Sequence, residues 1–278
     1  MALWGGTWIA GRLLSQSLHP MTSALLRLAL ASSFLVGLYR FSRGRWPSLR
    51  KSEFLPVLFL ALTGVFFYNR FFFTGLQTIP AGRAALIVAC IPVCIAALSA
   101  VFWKERFGPV RILGTLISLV GVAVVIADGN PMVLLQGGVQ TGDVYILGCV
   151  AAWAAYSLGG RSVMRTMEPL SAVTWSCLVG TFMLIPAAWG HVPSDLIRAG
   201  MVEWGCLVFL GTLATGVAYY WYYAAINTIG ASRAGVFINL VPVFAVLMGF
   251  FLLDEPIHLS LLTGGVMVIG GVWLTNRP

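Results

Sequence analysis

The chain has 278 residues, 59% of them hydrophobic and only 9% charged, with a formal net charge of +8. A water-soluble domain carries about a quarter charged residues, so this composition excludes one and places the chain in a bilayer. The basic residues sit in short connections between apolar runs, with no basic stripe interleaved with aromatics, which argues against a nucleic-acid partner.

A helix needs about 20 apolar residues to cross the hydrocarbon core. Ten such runs follow in chain order: Met1 to Leu18, Met21 to Tyr39, Phe54 to Leu76, Ala84 to Trp103, Val110 to Ala127, Val144 to Gly160, Leu170 to Trp189, Trp204 to Ile226, Ala234 to Leu253 and Leu259 to Leu274. Gly, Pro, Asp and Asn punctuate most of the short connections, as at Ser17 to Pro20, Asp128 to Pro131 and Asp254 to Pro256. Met1 is followed at once by apolar residues without a basic lead or a small-residue cleavage pattern, so no cleavable signal peptide is expected.

Basic residues near span ends stay cytoplasmic. Placing the connection with Arg40, Arg43, Arg45, Arg50 and Lys51 inside puts twelve of the 17 basic residues there, against two outside, Arg83 and Arg198. Both termini are then cytoplasmic. The remaining three, Arg12, Arg27 and Arg70, fall within spans.

The chain writes one unit twice. A shift of 150 positions lays Thr78-Ile79 on Thr228-Ile229, Arg83-Ala84 on Arg233-Ala234, Pro92 on Pro242, Glu105 on Glu255, Gly114 on Gly264 and Gly121 on Gly271. A shift of 149 lays Trp4 on Trp153, Arg12 on Arg161 and Pro20 on Pro169. Residues 1–127 thus form a first five-helix repeat, 128–143 an outer linker and 144–278 a second repeat. Five spans per copy is odd, so the second copy enters the membrane upside down. Inverted repeats are the mark of carriers that bind substrate at the midplane between two halves. The fold class is therefore all-α and integral to the membrane, ten helices in two inverted repeats. The match of Trp4 with Trp153 also implies that part of the first helix precedes Met1, leaving Trp4 near the midplane and Trp8 one turn further out.

In Leu3-Trp4-Gly5, in Trp153 to Tyr156, in the paired prolines, in the acidic turns at Glu105 and Glu255 and in the glycines a heptad apart after each turn, the chain resembles the EamA family of the drug/metabolite transporter superfamily. The aromatic-rich third and eighth spans resemble the YddG-type amino-acid exporters within it. The resemblance implies a ten-helix transporter of small metabolites in the bacterial inner membrane, working mostly outward.

Depth and spacing nominate the substrate-binding residues. Trp4, Trp8, Trp153 and Tyr156 lie at helical spacing on the first and sixth spans, where midplane rings either line a pocket or pack as core. Tyr68 with Asn69, and Tyr219 from the run Tyr219 to Tyr223, bring polar groups to membrane depth; at most two of those five rings can face one cavity. Pro92 and Pro242 each remove a midplane donor, as a packing kink or as part of a cavity wall, and Asn239 close by either binds a ligand's amino or carboxylate group or caps the broken helix. Arg27 and Arg70 look like anion sites, but each lies within two or three turns of the outer surface and is read first as snorkelling to it.

His19, His191 and His258 all fall in loops, and no hydrolase or metalloprotease motif is present, so neither an enzyme nor a metal or other cofactor is expected. The five cysteines read as small packing residues. The expected function is export of amino acids, aromatic ones favoured, or similar small metabolites by alternating access, with the bilayer and a small-molecule substrate as partners and the monomer as working unit. All nine carboxylates lie in loops or at span ends, which points to a facilitator or exchanger rather than a proton-driven pump. The alternatives are a multidrug or cationic-compound exporter, which would place a carboxylate at depth, and a non-transporting receptor or scaffold, which leaves the duplication without a purpose.

Overall fold

The structure, a computed structural model, describes residues 1–103, 108–127, 129–130, 139–230, 234 and 237–275. Every regular element among them is helical. Four helices are long and apolar enough to cross a membrane, namely Pro20–Arg43, Lys51–Gly75, Pro169–Ala188 and Met201–Ile229, and shorter apolar helices lie at Ala81–Ile95, Ile112–Ile126, Leu240–Leu253 and Leu259–Thr275.

After α1 (Ala2–Ser17) the chain turns at once into α2 (Pro20–Arg43). Proline fits the first helical position, where no intrahelical donor is needed, and the His19 imidazole accepts the backbone N–H of Met21 over 3.3 Å. Gly44, at φ 68°, ends α2 in a left-handed conformation that glycine adopts without strain. The chain continues as α3 (Lys51–Gly75), α4 (Ala81–Val88), α5 (Ile91–Trp103), α6 (Pro109–Ile126), α7 (Thr141–Val163) and α8 (Pro169–Ala188). A short α9 (Val192–Arg198) occupies what the sequence reads as a plain connection; then come α10 (Met201–Ile229), a 3-10 turn Phe237–Asn239, α11 (Leu240–Leu253) and α12 (Leu259–Thr275). The acidic turn at Glu105 and the basic Arg233 lie outside the described residues.

Two local distortions shape the interior. Residues 61–67 of α3 and 209–217 of α10 are π-helical, a widened turn whose carbonyls are open to other donors. Asn69 Nδ2 donates to the Val65 carbonyl at 2.7 Å in the first, and Trp4 Nε1 to the Ala214 carbonyl at 3.0 Å in the second. The prolines do more than kink. The run from Ala84 to Trp103, expected as one span, is two helices parted at Ala89 and Cys90, with Pro92 in the first turn of α5; Pro242 likewise lies in the first turn of α11, after the 3-10 turn. Neither can donate to the carbonyl four residues before it, at Val88 and at Ile238.

Helices α6 and α12 meet backbone to backbone. A Cβ on Gly121 would stand 2.7 Å from the Val268 nitrogen, one on Gly264 2.8 Å from the Gly121 oxygen and one on Gly114 2.7 Å from the Gly271 oxygen. In lipid, such small-residue seams hold helices together by close packing rather than by hydrophobic burial.

One end of the bundle is closed by polar links. Ser15 Oγ donates to the Leu76 carbonyl at 3.0 Å, joined there by the Arg12 guanidinium. Arg83 meets Asp143 in a bidentate pair at 2.8 and 2.7 Å and donates to the Ile126 carbonyl at 2.6 Å, tying α4, α6 and α7. Glu255, in the turn after α11, accepts the first two N–H groups of α4, from Ala81 at 2.9 Å and Gly82 at 3.1 Å. His19 stacks on His191 with ring centroids 3.6 Å apart, and its backbone N–H donates to Asp195 at 3.2 Å.

Candidate functional site

An interior cavity of about 30 Å³ lies where α1, α2, α3, α7 and α10 converge on the two broken helices. Its walls are Trp4, Thr7, Trp8, Arg27, Tyr68, Val88, Ile91, Trp153, Tyr219, Ile238 and Val241. That is room for about two water molecules and for no amino acid, so the arrangement is a collapsed one that has to open before it can hold a ligand.

The rings form one connected box. Trp153 stands at its centre, with centroids 5.0 Å from both Tyr68 and Tyr219 and 5.5 Å from Trp4, the last edge to face. Such contacts fix the rings as a group, each pair contributing roughly 0.5–1.5 kcal/mol beyond area burial. Trp4 also walls a second, mostly apolar cavity of about 360 Å³ lined by Leu3, Tyr222, Ala225 and Phe237, so one residue belongs to both linings. A third cavity, about 190 Å³, lies at the closed end and takes Arg83, Gln140, Glu255 and His258 into its walls.

Of the residues nominated from sequence, Trp4, Trp8, Tyr68, Trp153 and Tyr219 come together on the central cavity. Tyr156 does not line it; it is buried beside Trp153, 5.3 Å between centroids, and packs its ring against Gly64 of α3. Asn69 is spent on the π-helical carbonyl, with its Oδ1 unpartnered. Pro92 and Pro242 are buried, and it is their neighbours that face the cavity: Val88 and Ile91 from one copy, Ile238 and Val241 from the other, each pair 150 positions apart. Thus the two residues whose carbonyls lose a helical donor both sit in the cavity wall. Asn239 has its backbone in the 3-10 turn, and its side chain lies outside what the structure describes.

A further departure from the sequence reading is Arg27. It does not snorkel: it is 1% exposed and turned into the bundle, where Nε donates to Thr215 Oγ1 at 2.9 Å and the guanidinium carbon lies 5.5 Å above the centre of the Phe72 ring. Nη1 has no hydrogen-bond partner. Arg70, by contrast, is exposed, as snorkelling requires. No carboxylate lines the central cavity among the described residues. Depth along α2 pointed Arg27 to the surface and misled, whereas Thr7 could have been found one turn from Trp4.

Apolar helices with polar and aromatic side chains gathered on an interior cavity make a multi-pass membrane protein with a candidate small-molecule site. The chain belongs to the EamA-like transporter family, whose model matches residues 1–127 and 140–277. It is 29% identical over 254 residues to the uncharacterized transporter YyaM of Bacillus subtilis, covering 91% of this chain and 83% of that one. It is 28% identical, over 94% of this chain and 83% of the other, to a probable terminal-alkyne amino-acid exporter of Streptantibioticus cattleyicolor. A solved crystal structure shares the fold with a TM-score of 0.71 at 21% identity, over 99% of this chain and 93% of that one.

Proposed function

We propose that this chain exports amino acids, aromatic ones favoured, or closely similar small metabolites across the bacterial inner membrane by alternating access, as a facilitator or exchanger. The observation that carries the reading is the ring box of Trp4, Trp8, Tyr68, Trp153 and Tyr219 around one interior cavity with no acid in its wall among the described residues. Rings offer stacking to an apolar or aromatic side chain. A cationic drug would want a carboxylate there and would meet Arg27 instead. The amino-acid exporter among the relatives supports the same substrate class.

Two inverted halves, 1–127 and 144–278, give the mechanism its two states, with ten spans and both termini cytoplasmic as the charge distribution requires. The recurrence of proline-broken helices in the cavity wall at a spacing of 150 positions supports that division. On this topology the closed end faces outward, so the arrangement described is shut on the outside.

The test is a panel of labelled amino acids offered to proteoliposomes holding the full chain. Saturable counterflow of phenylalanine, tyrosine or tryptophan above that of alanine and lysine is expected. Absence of any saturable amino-acid flux, at verified insertion, would end the amino-acid reading.

A further inference from the structure

Resting on that reading, we infer that Arg27 is the docking point for a carboxylate, so that the site takes small molecules with an anionic head and an apolar or aromatic body. Four observations converge on it. The guanidinium is buried and lines the cavity. One of its terminal nitrogens has no partner. Among the described residues no carboxylate stands in the cavity wall beside it. Finally, the shift of 149 that lays Pro20 on Pro169, the first residue of each helix, lays Arg27 on Ser176, so the cation belongs to one copy only and is no requirement of the shared fold.

A cation held in a bilayer without a counter-charge is costly and is kept where it meets a ligand. Thr215 and Phe72 account for one edge of the guanidinium and one face. The remaining edge is a planar fork of donors, whose complement is a carboxylate rather than an amine. Around it, Trp153 and Tyr219 offer ring surface for the rest of the molecule. The asymmetry also sets polarity within the site: the anionic head lies toward α2, the body toward the rings of Trp153 on α7 and Tyr219 on α10.

The rival role, a pin that only joins α2 to α10 through Thr215, makes no distinction between an acid and its amide. The experiment is a titration of the purified full chain, read by its own tryptophan fluorescence, with L-phenylalanine, L-phenylalaninamide, 3-phenylpropionate, 3-phenylpropionamide and chloride. For wild type each acid should bind roughly 10- to 150-fold tighter than its amide. In Arg27→Met that ratio should collapse toward one, and Arg27→Lys should retain part of it. Acid and amide binding alike to wild type would overturn the inference without any variant having to fold, and so would an undiminished ratio in Arg27→Met. Chloride that binds and is not displaced by either acid would also overturn it, marking an inorganic anion site. If 3-phenylpropionate obeys the expected ratio while no amino acid binds, the carboxylate dock stands and the amino-acid reading falls.

Discussion

Glu255 and Ala81, 174 positions apart, are joined by a carboxylate oxygen that accepts the first N–H of α4 over 2.9 Å. The second oxygen takes Gly82 at 3.1 Å, so the turn after α11 caps a helix start in the other half of the chain. The donors left free at a helix start carry partial positive charge, and an anion placed there closes the bundle with a contact that can also be released.

Replacing that carboxylate by an amide removes the charge and leaves one acceptor. In Glu255→Gln, amide exchange at residues 81 and 82 should speed up by roughly 2- to 30-fold, while exchange in α6 stays unchanged. Hydrogen exchange read by mass spectrometry decides it. Equal protection in both proteins would mean that the cap does not hold this end shut.

Trp153 and Trp189 separate depth from mere aromaticity. Trp153 is 4% exposed at the centre of the ring box, whereas Trp189, at the end of α8, is 76% exposed. Trp153→Ala should weaken substrate affinity by a few-fold to tenfold or more, since a stacking partner is worth on the order of 1 kcal/mol. Trp189→Ala should leave it within error. The comparison requires equal amounts of inserted protein, and equal defects would count against the ring box.

The seam between α6 and α12 predicts a steep difference between a helical glycine buried in it, Gly121, and an exposed one on α12, Gly270. A methyl group on Gly121 meets backbone at 2.7 and 2.8 Å, while nothing lies within 4 Å of one on Gly270. Gly121→Ala should cost about 1–3 kcal/mol of stability, and Gly270→Ala no more than about 0.5 kcal/mol. Thermal unfolding in detergent distinguishes them, and matching curves would show that the helices part with little resistance.

Acid should loosen the corner between α1 and α2. Burial pushes the His19 imidazole below its ordinary value, His191 pushes the same way, and Asp195 opposes them. A base whose folded pKa is depressed contributes stability above its unfolded pKa of about 6.5, and that stability is lost as pH falls through the lower folded value. Between about pH 7.5 and about pH 5, wild type should therefore lose more melting temperature than His19→Asn, which keeps a cap acceptor but cannot titrate. Parallel pH profiles would remove His19 from consideration.

Energy coupling can be tested without any variant. Asp143 is buried, but it starts α7 and is held by Arg83, so it offers no relay into the cavity. A pH gradient imposed on proteoliposomes with equal substrate on both sides should produce no accumulation. Accumulation abolished by a protonophore would show proton coupling and turn attention to that acid.

Much of this architecture was legible in the apolar runs. Pro20 and Pro169 mark helix starts, the glycines at 114, 121, 264 and 271 mark the seam, and Trp153, Tyr68 and Tyr219 reach the cavity because midplane rings have few other places to go. What stayed hidden is direction around a helix axis. Tyr156 is almost one turn from Trp153 yet packs on Gly64, and Arg27, near the start of α2, turns inward to Thr215 where its depth suggested the surface. Proline told that a helix would break; the exact joint, at Ala89 and Cys90, depends on what the adjoining backbone packs against.

The glycine seam also has an order in time. Gly271 is synthesised 150 residues after Gly121, so at about 5–20 residues per second α6 waits roughly 8 to 30 s for the helix that covers its bare backbone face. Through that interval the face is open to lipid, to the insertion machinery or to the wrong helix. Arrival of α12 is then the step that covers the stripe at Gly114 and Gly121, and a chain that ends before it keeps that backbone bare.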